Sequence, residues 1–481
     1  MLELLVAAAS SGSGKTMVTC GLLALMQREG LLPCAFKCGP DYIDPMFHRS
    51  VLDIESHNLD LFLSDEDYVR ESYRAHGAGH QAIVVEGVMG YYDGVGGKTT
   101  QASAWHLADT LDLPVLLVVR PKGMGLTAAA QVKGMTAFRS PHHIRGVLLN
   151  ECSPMLLATM REVIEKETGI PVVGCLPPLK DAAVESRHLG LYTAGEVEDL
   201  RARIDRIADA LAENIDMDLF HSLFTRETPE GCAVANQAAG SDSVSGDAPV
   251  CRTAEPAADK PKIAVADDEA FCFMYRESLE AFEKAGAELV HFSPVADAAL
   301  PEGVSGLYLP GGYPELHGKA LAANETMKAS ILAAAKNSMP IVAECGGFMY
   351  LQESLRDMDG ADCAMTGLLK GNSEKKDRLV RFGYAQMTAE KDSLLLRKGE
   401  TFPIHEFHYW DTTNNGTDCS AVKPVSGRSW QCAITGPALF AGFPHLYFAA
   451  HPVLAERFVA AAAAYDCGTA PASETPEGGR A

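Results

Sequence analysis

Along the first two hundred positions the apolar residues fall in short continuous runs rather than in strict alternation. Leu2-Glu3-Leu4-Leu5-Val6-Ala7-Ala8, Pro33-Cys34-Ala35-Phe36-Lys37, Ala82-Ile83-Val84-Val85, Val115–Val119, Ile144–Asn150 and Val172-Val173-Gly174 each read as a strand. Helical spacing fills the gaps: between positions 15 and 29, Val18, Leu22, Leu25 and Met26 recur on one face. Apolar strands separated by helices predict an α/β fold, a parallel sheet covered on both faces. Functional loops then gather at the carboxyl ends of its strands. The pattern stops after Phe224, where a tract rich in Ala, Ser, Gly, Pro and Asp cannot make a core. Strand-like runs resume at Lys262–Ala266, 306–310 and 340–344. The expected organisation is a first domain over 1–225, a flexible linker over 226–260, a second α/β domain over 261–468 and a disordered tail over 469–481.

Length agrees with two cores, because single cores stop growing near roughly 250–300 residues and this chain has 481. A net charge of -22 disfavours nucleic acid and anionic membranes, so neither is expected as a partner. It also means that an anionic substrate needs local positive charge. No charge-free run of about 18 residues appears, so no membrane-spanning helix is expected. The first residues carry an acidic flank and lead directly into a functional loop, unlike a signal peptide. The 13 cysteines are dispersed and odd in number, which fits a reducing cytoplasm better than a disulfide scaffold.

Candidate chemistry lies at the strand ends. Ala9-Ser10-Ser11-Gly12-Ser13-Gly14-Lys15-Thr16 sits between a strand and a helix, as a phosphate loop requires. Small residues let backbone N–H groups turn toward phosphate oxygens at the positive end of a helix. Ser11, Gly12, Ser13, Gly14, Lys15, Thr16 and Lys37 are expected to bind ATP, with Thr16 also available to Mg²⁺. The loop's usual first glycine is replaced by Ala9, and Gly12 is a candidate substitute. Lys37 precedes Gly39-Pro40-Asp41-Tyr42-Ile43-Asp44-Pro45, where two carboxylates beside a lysine suit Mg²⁺ or a phosphoryl group. The same letters also spell a capped turn. Glu86, at the end of the third run, can reach a metal held by the phosphate loop, and Asp93 lies on the glycine-rich loop beyond. Thr16, Asp41 and Glu86 are the expected metal ligands. Asp44, Asp93, Arg187 and His188 are candidate substrate contacts, although a surface or core role fits the last two equally well.

The second domain carries a sharper signal. Pro310-Gly311-Gly312-Tyr313-Pro314-Glu315 and Ala343-Glu344-Cys345-Gly346-Gly347 each follow a strand. A cysteine between a strand end and a helix start can occupy a strained turn with its sulfur exposed and its thiolate favoured. Cys345 is the nucleophile candidate, and Gly311, Gly312 and Gly346 are candidates for the oxyanion site. His445, about 100 residues downstream, is the proton-relay candidate. Tyr447, not a carboxylate, stands two residues after it, so no three-member triad is expected. His405-Glu406-Phe407-His408 lacks zinc-motif spacing and reads as a strand with alternating faces; glutamine, substrate or domain contact stays open for it.

In this order, the phosphate loop, the Lys37–Pro45 run, Glu86-Gly87-Val88-Met89-Gly90, Arg187-His188-Leu189-Gly190-Leu191, the Gly311-Gly312 and Cys345 motifs and His405–His408 resemble the cobyrinic acid a,c-diamide synthase family. The resemblance covers about residues 2–215 and 262–455. It implies a dethiobiotin-synthetase-like P-loop domain joined to a glutaminase, using ATP, Mg²⁺ and glutamine to turn carboxylates of a corrinoid or related tetrapyrrole into amides. It places Asp41, Asp44, Glu86 and Asp93 at the family's acidic positions, and Cys345 and His445 at its glutaminase positions. Nickel-sirohydrochlorin, hydrogenobyrinate and cobyrinate a,c-diamide remain alternative substrates, and a homodimer stays open. A rival of another class is a regulatory P-loop ATPase fused to an inactive glutaminase-like domain.

Overall fold

The computed structural model describes residues 1–179, 194–226 and 260–465, with side chains from 198 onward in the second segment. The expected tail and nearly all of the expected linker fall outside these residues, as do Arg187 and His188.

The first half is a seven-stranded, wholly parallel sheet. Its strands are β1 (Leu2–Ala8), β2 (Pro33–Cys38), β3 (Ser56–Leu59), β4 (Ala82–Glu86), β5 (Val115–Val119), β6 (Ile144–Asn150) and β7 (Val172–Leu176). They lie in the order β3-β2-β4-β1-β5-β6-β7. The continuous apolar runs have the predicted cause: along β1, Leu5 and Ala7 enter one core while Leu4, Val6 and Ala8 enter the other. Helix α1 (Lys15–Arg28) follows β1, and α2 (Ile43–Leu52) follows β2.

Strand β3 has no apolar signature, so its place in the sheet was not readable as a run. Ser56, His57 and Asn58 are nonetheless buried. Their polar groups are satisfied from outside the sheet. His57 Nδ1 lies 3.1 Å from Glu277 Oε1, and Asn58 N–H donates to the same oxygen at 2.9 Å. Glu277 belongs to the second half, so part of the strand's polarity serves the contact between halves, while Ser56 Oγ lies 3.0 Å from His48 Nδ1 and the Asn58 amide donates to the Gly39 and Asp41 carbonyls.

The second half is built on β8 (Lys262–Ala266), β9 (Glu288–Phe292), β10 (Gly306–Leu309) and β11 (Ile341–Glu344). Leu439–Gly442 pairs parallel to β11, and Ile434–Gly436 pairs antiparallel beyond it. Two four-stranded sheets with antiparallel pairings complete this half, and neither was foreseen. One joins Thr401–His408, Arg381–Ala389, Cys419–Val422 and Ser429–Cys432 in that order. Its strands are mixed in polarity because one face is buried and the other open.

The halves meet through hydrogen bonds as well as packing. Tyr384 Oη donates to Asp60 at 2.7 Å, Tyr275 Oη donates to the Pro40 carbonyl at 3.1 Å, and His451 Nε2 lies 3.0 Å from the Leu63 carbonyl. These contacts fall on the loops after β2 and β3, so both sets of strand-end motifs face one seam. Among the described residues, no helix is long and apolar enough to cross a membrane.

Candidate active sites

The loop between β1 and α1 has the form a phosphate binder needs. Gly12 and Gly14 adopt positive φ angles of 76° and 92°, whereas Ala9 does not, so alanine costs nothing at that position. A side chain on Gly14 would also strike Asn150, whose amide donates to the Ser13 carbonyl at 2.9 Å. No side chain caps α1 and no acidic residue occupies its first turn, which leaves its N–H groups for an anion. Ser13 folds back on Ser10. Lys15 Nζ donates to the Met89 carbonyl at 2.6 Å and the Ser10 carbonyl at 3.3 Å. Burial, assisted by Lys37, pushes its ammonium down to about 8. Phosphate oxygens would reverse that shift.

Behind the loop lies a buried charge cluster. Thr16 Oγ1 donates to Glu86 Oε1 at 2.6 Å, and Lys37 Nζ donates to the same oxygen at 3.0 Å while pairing closely with Asp44. Burial alone would lower Lys37, but Asp44, Glu86 and Asp41 outweigh it and hold the ammonium well above its ordinary value. Burial and the charge of Asp44 push Glu86 up to about 7, against the pull of Lys37. Burial would raise Asp44, but Lys37 brings it below its usual value. Glu86 Oε2 is buried without a hydrogen-bond partner. Its nearest cation candidate, His48 Nε2 at 3.8 Å, is held neutral because burial pushes that imidazole down to about 4. A hydroxyl and several carboxylate oxygens, one unpartnered, are hard donors that suit Mg²⁺.

The two acids of the Asp41–Asp44 run take different places. Asp44, expected at the substrate, sits inside the Lys37–Glu86 cluster. Asp41, expected on the metal, accepts from the Ile43 N–H at 2.8 Å and so makes the turn that starts α2. Burial and Asp44 push Asp41 up to about 6. Asp93 is exposed, accepts from Gly90 N–H at 3.1 Å and favours the charge of Lys15.

In the second half Cys345 stands between β11 and the short helix Gly346–Tyr350 with φ 47° and ψ −101°. That strained turn is as expected, but the exposed, thiolate-favouring sulfur is not. Cys345 is buried, and burial with nearby Glu315, Glu406 and Glu344 drives its thiol well up despite the Gly346 N–H. A five-residue helix lacks the field to offset this. His445 is brought to the same place. A side chain on Gly311 would begin 2.6 Å from His445 Cε1 and 3.5 Å from Cys345 Cβ, so only glycine leaves the space between them open. Gly312 N lies 3.0 Å from where a side chain on Gly346 would start, which groups all three candidate oxyanion glycines around the turn.

His445 has a carboxylate neighbour that the sequence reading missed. Glu344 Oε2 lies 3.9 Å from His445 Nδ1, which has no hydrogen-bond partner. Glu344 accepts from Tyr308 Oη and Leu446 N–H, each at 2.8 Å. Burial pushes its carboxyl up to about 7, against those two donors. Burial pushes His445 down to about 3, so its imidazole is neutral. The available signal was a lone acid ending an apolar strand, the same signal that singled out Glu86. Asn150 and His48 gave no comparable sign.

Within the His405–His408 run, His405 pairs through its backbone with His445, while His408 lies 3.2 Å from Glu406 and stacks on Phe443 with ring centroids 3.9 Å apart. The run is part of a strand, as its alternation suggested.

A phosphate-loop parallel sheet joined to a strand–cysteine–helix domain defines a two-part protein with ATP-binding and glutamine-amidotransferase folds. Residues 262–453 match the CobB/CobQ-like glutamine amidotransferase domain, and residues 62–186 match an AAA domain. Three proteins named cobyrinate a,c-diamide synthase align along almost the whole chain. That of Caldanaerobacter subterraneus is 34% identical, over 95% of this chain and 97% of its own. Those of Dehalococcoides mccartyi and Clostridium acetobutylicum are 35% and 37% identical, over 95% and 93% of this chain and 97% of their own. The chain belongs to the cobyrinate a,c-diamide synthase family.

Proposed function

We propose that the protein amidates the a and c side-chain carboxylates of cobyrinate, with ATP as the driving force and glutamine as the nitrogen source. The observation that carries this reading is the meeting of two sites at one seam: the segment that carries Asp41 and leads into α2 at Asp44 also packs Tyr42 against His445, with ring centroids 5.2 Å apart.

A free carboxylate is a poor acyl donor because its leaving group is oxide or hydroxide. In the proposed first half-reaction a substrate carboxylate oxygen attacks the γ-phosphorus of ATP. The bond to the β-phosphate bridging oxygen breaks, giving an acyl phosphate and ADP. Lys15 swings from the Met89 carbonyl to the phosphates, and the open N–H groups of α1 stabilise the charge that builds there. Thr16, Glu86 and Asp44 would hold Mg²⁺, which neutralises phosphate charge when bound. Lys37 keeps Asp44 ionised and fixes both carboxylates in place.

The glutaminase half supplies the nitrogen. The Cys345 thiol proton passes to His445 as sulfur attacks the glutamine amide carbon, and His445 returns a proton to the departing ammonia. Gly312 and Gly346 N–H groups face the developing oxyanion. Water then hydrolyses the thioester to glutamate. Ammonia attacks the acyl phosphate carbon, phosphate leaves, and the amide results.

Turnover of the purified chain with ATP, Mg²⁺ and glutamine tests the reading, with cobyrinate, hydrogenobyrinate and nickel-sirohydrochlorin supplied side by side. The expected product is cobyrinate with two carboxyls converted to carboxamides. Conversion of another macrocycle but not cobyrinate contradicts the substrate, and no amidation of any macrocycle by folded protein contradicts the function.

A further inference from the structure

Glu315 is 7% exposed, and its Oε2 has no hydrogen-bond partner. Every other buried carboxylate among the described residues takes a hydrogen bond or an ion pair from another residue. Glu315 has only its own backbone N–H as a donor. Lys375 favours its charge, but that side chain is exposed and its ammonium stands over Trp410, 5.5 Å from the ring centroid. A carboxylate withdrawn from water without a partner is costly to keep.

The chain holds this acid at the glutaminase centre. It ends the Pro310–Glu315 turn, which follows β10 and is pinned at two points. Phe273 N–H donates to the Gly311 carbonyl at 3.0 Å, and Tyr313 N–H donates to the Ala270 carbonyl at 2.9 Å. The turn packs on the start of the Cys345 helix, where a side chain on Gly346 would begin 3.0 Å from both Gly312 N and Pro314 Cδ. Glu315 follows Pro314 directly. Of the three carboxylates whose charge reaches the Cys345 thiol, it acts most strongly, ahead of Glu406 and of Glu344, the residue next to the cysteine.

The other two acids are committed. Glu344 accepts from Tyr308 and Leu446 and stands beside His445. Glu406 accepts from Trp430 Nε1 at 3.2 Å and lies 3.2 Å from His408 Nε2. Glu315 is left to take a cation. In the empty site its charge works against catalysis, because it opposes the thiolate that must attack. A group that is costly to bury and harms the nucleophile is accounted for by a cation that arrives with the substrate.

Glutamine brings one. The nucleophile, the proton relay and the oxyanion N–H groups handle only its side-chain amide. Two methylenes further along stands an α-carbon that bears an ammonium. We propose that Glu315 binds the α-ammonium of glutamine. The proposal rests on the glutaminase part of the reading above and deepens it, by naming the group that selects an α-amino acid over a plain amide. Pairing gives the orphaned oxygen a charge-assisted hydrogen bond. It also cancels the negative charge beside the sulfur, so glutamine eases formation of the thiolate that attacks it. An amide without the ammonium leaves the carboxylate unpaired and is bound weakly.

Calorimetry on the full chain tests this in a Cys345→Ala background, where glutamine is bound but not consumed. The probes are glutamine and glutaramate, which is glutamine without its α-amino group. With Glu315 present, glutamine is expected to bind about thirtyfold tighter than glutaramate, or more. Glu315→Gln keeps the shape and removes the charge. It should raise the glutamine Kd to near that of glutaramate, while glutaramate binds no more weakly than before. Glu315→Asp should recover part of the preference. With Cys345 intact, the ratio of kcat/KM for glutamine to that for glutaramate should fall by a similar factor in Glu315→Gln. A preference for glutamine that survives Glu315→Gln overturns the proposal and leaves the amidation reading standing. Equal losses toward both ligands, the mark of a structural role, overturn it too, as does a parent chain that binds the two alike. A folded wild type that hydrolyses no glutamine overturns the proposal and the glutaminase assignment together.

Discussion

Tyr42, from the ATP-binding half, lies with its ring 5.2 Å from that of His445, from the glutaminase half. It is also stacked on Phe273 at 5.5 Å and packed on Tyr275 at 4.3 Å. Two residues further on, in the first turn of α2, Asp44 holds Lys37. A change at the phosphate cluster thus has one short, rigid path to the proton relay. Tyr42→Ala removes it. Glutamate formed per amide formed, near one in the wild type by this account, is expected to rise severalfold, with glutamine hydrolysed in the absence of macrocycle. An unchanged ratio contradicts a coupling role for Tyr42.

Cys345→Ala is expected to abolish glutamine-supported amidation, a loss on the order of 10³-fold or greater. Amidation with added ammonium salt should stay within about threefold of wild type, because the ATP half is untouched. Paired assays with the two nitrogen sources measure both. Full glutamine-supported turnover would rule out Cys345 as nucleophile.

Glu344 gives a pH prediction. Its carboxyl is pushed up to about 7, so it is neutral below and ionised above that value, whereas His445, held down to about 3, is neutral throughout the working range. Proton transfer from Cys345 creates an imidazolium that an ionised Glu344 stabilises. Glutaminase kcat should therefore climb as pH rises through about 7. Glu344→Gln should flatten this limb and lower kcat by roughly 10–100-fold, the scale of an acid–base contribution. Glu315, also pushed up to about 7 and beside Cys345, is the control. Ionised, it opposes the thiolate, so Glu315→Gln should keep the limb. A limb lost only in Glu315→Gln would transfer the assignment to that residue.

Lys37 is predicted to matter for stability as well as activity. It is buried between Asp44 and Glu86. Lys37→Met leaves two buried carboxylates without their cation, a loss of about 3–5 kcal/mol by the usual scale for a broken buried pair. Denaturant unfolding at pH 8 should show it. The loss should shrink at pH 5, where Glu86, raised to about 7, is already neutral in the folded state. A loss below about 1 kcal/mol at pH 8 contradicts the view that Lys37 holds the cluster.

What could be read along the chain followed burial and local geometry. Strands such as β1 and β5 are apolar on both faces, and the phosphate loop and the Cys345 turn are local in sequence, so both were legible. Strand β3 was not, because its polar residues are satisfied by tertiary contacts: Ser56 at His48, the Asn58 amide at the Gly39 and Asp41 carbonyls, and His57 at Glu277, more than two hundred positions away. The glutaminase's antiparallel sheets were missed because one face is open and the alternation is broken by residues such as Phe382 and Phe407. The Glu344–His445 pair was hidden because the two residues meet only through the pairing of β11 with Leu439–Gly442. The burial of Cys345 also depends on elements distant in sequence.

The central claim is that ATP activates the acid by phosphorylating it. Cobyrinate labelled with ¹⁸O in its carboxylates, turned over with ATP and ammonium, tests this directly by mass spectrometry of the released phosphate. The account predicts one labelled oxygen in inorganic phosphate for each amide formed. Amide formation with unlabelled phosphate would contradict it.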